Sequence, residues 1–244
     1  MVRLRVVSII FLYDLKKYYS KAPVISWGIL TPLAIILLLY FSAGVFGYSR
    51  IVPAMFVVSL LFAATSMSQV SVSFEKMSGS INMLYFMPVS IIEILLGKLL
   101  GGIIYGFLGT FIASIAVLAT TGYSAIIRPL FFTYGIVVGS LLFSFISLLF
   151  AFAYEPIKAV ALLNIVRFLM IFLGGLIIPK PLMPRNILFI VYIFPSVYVA
   201  DIVRFGLYNT WDYVDPYTSI IISLIYLIVL IIVTVRIVSR TFYP

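Results

Sequence analysis

Residues 51–73 read IVPAMFVVSLLFAATSMSQVSVS, a run without a single charge that passes directly into FEKMSGSINMLYFMP at 74–88. An apolar stretch of roughly 20 residues is long enough to cross the hydrocarbon core of a bilayer as a helix. The rest of the chain agrees with that reading. Of 244 residues 64% are hydrophobic and 9% are charged, against about 45–50% and about 25% in ordinary soluble domains. So few charges cannot cover so much apolar surface in water, and lipid has to be the solvent. The fold class predicted is an all-α membrane protein.

Five further stretches match the first. The six spans predicted lie at about 24–47, 51–73, 93–121, 129–153, 159–178 and 216–238. An even number leaves both termini on one side. With that side taken as the cytoplasm, the inner segments hold Arg3, Arg5, Lys16, Lys17, Lys21, Lys76, Lys98, Lys158, Arg236 and Arg240. The outer loops hold Arg50, Arg128, Lys180, Arg185 and Arg204, and this bias points to cytoplasmic termini. The net charge of +9 is thus a sign of orientation rather than of nucleic-acid binding. The N-terminal segment 1–22 is interrupted by Asp14, Lys16 and Lys17, so it does not read as a signal peptide. Leu4, Val7, Phe11, Leu15 and Tyr18 recur at steps of three and four, with Arg3, Asp14, Lys17 and Lys21 set on the other side. That pattern predicts an amphipathic helix lying on the membrane surface.

Two connections exceed ordinary loops. In the inner one, Ser90-Ile91-Ile92-Glu93 has the spacing of a capping box for the third span. The outer one, 179–215, is half apolar and broken by Pro195, which predicts a pair of short helices re-entering the outer leaflet. Gly97, Gly101, Gly102, Gly106 and Gly109 on span three, with Gly135 and Gly139 on span four, mark close helix contacts. There is no internal repeat of the kind that betrays inverted-repeat carriers.

The chemistry missing from the sequence is informative. It has no Cys and no His, which removes thiol and imidazole catalysis and most transition-metal ligands. No phosphate-cradling G-x-x-x-x-G-K-[ST] occurs, since Gly97-Lys98 runs into Leu99. Asp212 and Asp215 have D-x-x-D spacing but no third carboxylate nearby, and read as a solvated loop. Two polar features sit inside spans. Ser59, Ser66, Gln69 and Ser73 form one stripe of span two, which has to face either protein or a water-filled path. Arg167 lies about nine residues into span five, roughly 13 Å deep, where a charge costs at least ~2.5–3.5 kcal/mol. Asn164, one turn earlier, can bond to it. The guanidinium either snorkels to the inner surface or faces an inward-open cavity and an anionic or carbonyl-bearing part of a substrate.

The inner connector resembles that of ABC-2-type permeases, the membrane subunits of ABC exporters. Their pattern, roughly E-x-x-x-G-[ST]-x-x-x-L-x-x-x-P followed by a capped helix with Glu and Gly-Lys, is met by Glu75, Gly79, Ser80, Leu84, Pro88, Glu93, Gly97 and Lys98. Gly174-Gly175-Leu176 and Pro179 are similar to the family's exit from span five. Pro184, Pro195, Asp201 and Arg204 are similar to its outer re-entrant segment, and Pro23, Trp27 and Pro32 to its opening. Arg167 departs from the family's apolar or Pro residue at mid span five.

The resemblance, closer to drug and antibiotic exporters than to polysaccharide exporters, implies a type V exporter fold. It further implies that Glu75, Gly79, Ser80, Leu84 and Pro88 couple the chain to two ABC ATPase subunits. ATP and Mg would be carried by those partners and no cofactor by this chain. A second permease copy or paralogue and membrane lipid complete the implied partners, with no nucleic acid. Ser59, Ser66, Gln69, Ser73, Asn164 and Arg167 would line the path, Leu176 and Ile177 would form a dry gate, and Asp201 with Arg204 an outer structural pair. The competing functions are an ATP-independent channel or carrier and a membrane transferase acting on lipid-linked sugars. Copurification of an ATPase separates the permease reading from both.

Overall fold

The computed structural model describes residues 3–122 and 126–242, with all their side chains except those of Ser42, Val45, Phe46, Leu84, Tyr85, Thr241 and Phe242. Among the described residues every regular element is helical. The chain opens with α1 (Leu4–Tyr18), then α2 (Ala22–Ile25), a π-helical turn over Ser26–Leu30 and α3 (Thr31–Phe46). The expected first span is thus one helical rod with a widened turn. Pro32 has no N–H to give the carbonyl four residues back, and the ladder shifts there. Then follow α4 (Tyr48–Met77), a 3-10 turn Ser80–Asn82, α5 (Met83–Phe86), α6 (Ile91–Thr121), α7 (Pro129–Ala153) and α8 (Pro156–Phe172). A 3-10 turn at Lys180–Leu182, α9 (Leu188–Val191), α10 (Pro195–Tyr208) and α11 (Pro216–Phe242) complete the chain.

Among the described residues five helical stretches are long and apolar enough to cross a membrane: Ala22–Phe41, Tyr48–Met77, Ile91–Thr121, Pro129–Ala153 and Pro216–Arg240. The most apolar window of α4 is 100% buried and that of α11 only 11%. Hence α4 is the axis of the bundle, and α11 a rim helix whose Ile221, Ile225 and Ile228 stay exposed for lipid. The glycines of α6 bring it onto that axis. A Cβ on Gly109 would lie 2.6 Å from the Ala63 Cβ, and one on Gly102 would strike the hydroxyls of Ser68 and Ser144. Gly139 of α7 meets Val199 of α10 in the same way.

Two expectations are corrected. Span five does not run helically to 178. At 17 residues α8 is only about 25 Å long, and the helix ends at Phe172. There Gly174 packs against the Met170 carbonyl and the Ser196 hydroxyl, while Gly175 takes a φ of +70° that an L side chain would resist. The second correction concerns α1, which buries Val7, Asp14 and Tyr18 while Leu4 stays 78% exposed. At 3.6 residues per turn Asp14 falls about 20° from Val7, so it belongs to the inward stripe although its chemistry is that of the outer face. A buried lysine on α6 holds it there.

Candidate functional site

A cavity of about 330 Å³ opens between the C-terminal half of α4, one face of α8 from Pro156 to Arg167 and the start of the first span. Its wall includes Trp27, Ser66, Gln69, Ser73, Ile157 and Arg167. Three of the four residues in the predicted α4 stripe are therefore brought together with the predicted arginine. The cavity does not reach Ser59, two turns further along, whose backbone backs onto Gly109 of α6.

Arg167 is 1% exposed. Its Nε donates to Thr65 Oγ1 at 2.8 Å, Nη1 to Asn164 Oδ1 at 2.7 Å and Nη2 to Ser66 Oγ at 3.2 Å. The guanidinium carbon also lies 5.3 Å from the Phe62 ring centroid. Among the described residues no carboxylate pairs with it. The side chain reaches sideways onto α4 and does not snorkel. Asn164 was legible as a partner, whereas Thr65 was missed. The Thr65 hydroxyl donates to the Leu61 carbonyl and accepts from Arg167, and its own carbonyl accepts from Ser147 Oγ at 2.6 Å. Thr65 thus joins α4, α7 and α8. A buried Arg on a neighbouring helix calls for such an acceptor, and a Thr beside the Ser stripe was the signal.

The end of α4 is anchored by ions. Lys98 Nζ lies 2.9 Å from Asp14 Oδ2 and 2.8 Å from Glu75 Oε1, and all three side chains are buried. Next to Glu75, Lys76 Nζ donates to the carbonyls of Phe152 and Tyr154 at 2.8 and 3.0 Å, closing the C-terminus of α7. Gly79, in the left-handed region, then turns the chain out of α4. Ser80 Oγ lies 2.8 Å from Ser78 Oγ. Beyond it Met83, Phe86 and Met87 stand 64%, 91% and 51% exposed, an apolar projection from the bundle. Leu84 lies within α5, but its side chain is outside the described residues. The segment returns at the Ser90–Glu93 capping box, which is fully formed. Arg3 closes it from α1, bonding the Pro88 carbonyl and Glu93, whose carboxylate raises the Arg3 pKa through its hydrogen bond. A second cavity, of about 350 Å³, separates α1 from this connector, with the Asp14–Lys98–Glu75 cluster in its wall.

At the other end of the bundle, Asp201 and Arg204 pair at 2.6 Å. Asp201 does more than the pairing suggested, because it also accepts the backbone N–H groups of Asp212, Tyr213 and Val214 at 2.8–2.9 Å. It pins the loop that leads into α11. Asp212 and Asp215, expected to lie in a solvated loop, have separate structural roles in it. Asp212 pairs with Arg50 at 3.3 Å with its side chain 8% exposed. Asp215 accepts from the Thr218 N–H at 3.0 Å, and hydrogen bonding by Thr218 lowers its pKa. Leu176 is buried in the main core and Ile177 is half-buried against it.

The sequence model of the ABC-2 type transporter family matches residues 5–208, from α1 to the end of α10. Comparison with curated proteins returns no match.

Proposed function

Since the chain belongs to the ABC-2 type transporter family, we propose that this multi-pass membrane protein is the permease half of an ATP-driven exporter. It acts as one membrane domain over 1–244. α8 and the turns after it supply the sixth crossing, α1 lies on the inner surface, and α9–α10 re-enter from the outside. Both termini then face the cytoplasm of a cell membrane. Two such subunits, or this chain and a paralogue, pair around a path and work with two separate ATPase subunits that carry ATP and Mg. The substrate is an amphipathic molecule leaving the cytoplasm or inner leaflet, and Leu176 with Ile177 gate its exit.

One observation supports this reading above the others. Ser66, Gln69 and Ser73 of the cavity wall and Glu75 at the connector belong to the same helix, α4. A push on the exposed connector is therefore carried by one rigid rod to the polar wall, with Lys98 and Asp14 making α6 and α1 follow. An ATP-independent channel has no use for such a linkage. In the reconstituted complex, replacing Gly79 and Leu84 with Asp should abolish substrate-stimulated ATPase activity while assembly persists. Unchanged stimulation refutes coupling through this segment, and failure to recover any ATPase with the wild-type chain refutes the exporter itself.

A further inference from the structure

We infer that the α4–α8 cavity is built for an acidic amphiphile: a carboxylate- or phosphate-bearing headgroup on an apolar body. This inference deepens, and rests on, the reading of that cavity as part of the transport path.

The wall has an unbalanced charge. Arg167 is buried without a carboxylate among the described residues, held only by the neutral oxygens of Thr65, Ser66 and Asn164. A guanidinium has five N–H donors. Three are engaged here, which leaves one on each terminal nitrogen. Two further polar groups of the same wall lack partners. Gln69 Nε2 and Ser73 Oγ make no hydrogen bond, although their residues are 3% and 5% exposed. Buried donors without acceptors are unfavourable, and natural proteins leave few of them. They lie on α4 about one and two turns from Ser66 toward the connector, on the face that Arg167 touches. The last torsion of a Gln side chain is soft, so the Gln69 amide can swing to a headgroup without moving the helix.

The three groups share one preference. Each can donate, and among the described residues the cavity wall contains no carboxylate. An oxyanion would fill the open donor positions and neutralise the arginine, whereas an ammonium would meet an uncompensated like charge. The rest of the wall is apolar, with Pro23, Trp27, Val70, Phe74 and Ile157. That surface suits a hydrocarbon or ring system behind the headgroup and does not suit a free inorganic anion. The volume of about 330 Å³ is within the range of ligand pockets.

Trp27 is part of the wall and supplies the reporter. With Trp211 replaced by Phe, Trp27 is the single tryptophan of this chain, and a Trp27→Phe complex measures the ATPase background. The permease–ATPase complex in phosphatidylcholine nanodiscs is titrated with nitroxide-labelled stearate, its methyl ester and the matching stearylamine. The carboxylate should quench Trp27 at about tenfold lower concentration than the ester, the increment of a charge-assisted hydrogen bond. Arg167→Gln and Gln69→Leu should each shrink that preference. Gln69→Leu leaves the Arg167 contacts in place and so serves where Arg167→Gln fails to fold. Equal quenching by acid and ester, or stronger quenching by the amine, overturns the inference. A carboxylate preference in a complex that shows no ATPase coupling keeps the site and removes the exporter. Coupling without the preference does the reverse.

Discussion

Lys98→Met is the substitution with the clearest consequence. The ammonium lies 2.9 Å from Asp14 and 2.8 Å from Glu75 with 1% of its side chain exposed. At an effective dielectric of about 20, each contact is a gross attraction of about 6 kcal/mol. Desolvation offsets much of it, and removing one partner from a buried pair typically costs about 3–5 kcal/mol. Denaturant titration in detergent at pH 7.5 reads this directly, and protease sensitivity of α1 should rise in parallel. The triple variant Asp14→Asn, Glu75→Gln, Lys98→Met, in which no charge is left uncompensated, should return to within about 1 kcal/mol of the parent. A Lys98→Met protein within about 0.5 kcal/mol of the parent at pH 7.5 refutes the cluster as an anchor of α1 and α4.

Gly102→Ala should lower stability by about 1–3 kcal/mol, because its Cβ would meet two serine hydroxyls and, at 3.0 Å, the Ala64 carbonyl; the same titration measures it, and a neutral result means α6 can step back from α4. Asp201→Ala should cost about 3–5 kcal/mol, since it strands the buried Arg204 and frees three backbone N–H groups of the loop. Faster proteolysis within 209–215 is the accompanying sign, and an unaltered cleavage pattern counts against the loop being pinned by this carboxylate.

Much of this architecture was legible in the sequence because lipid restricts the choices. Uninterrupted apolar runs could only be helices, Ser90–Glu93 could only cap one, and the glycines of span three had to mark a close neighbour. The departures share a cause: polarity suggests one placement of a residue and geometry decides another. The charge of Asp14 places it on the outer face of α1, whereas its angular position beside Val7 puts it inward, where Lys98 waits. Neither residue looks buried alone; the pair is buried because each removes the other's reason to reach water. Thr65 taken alone gives no signal for the same reason, as a hydroxyl already able to back-bond to its own helix shows no need of a partner. Its second role exists only because Arg167 arrives from α8. Span five was overextended because Leu176, Ile177 and Ile178 continue the apolar run, and hydropathy cannot register that Gly175 adopts a positive φ. At all three places a contact between distant helices decides what the local sequence leaves open. Thr65, which meets Arg167, and Glu75, the second partner of Lys98, both lie on α4, where the cavity and the connector meet on one rod.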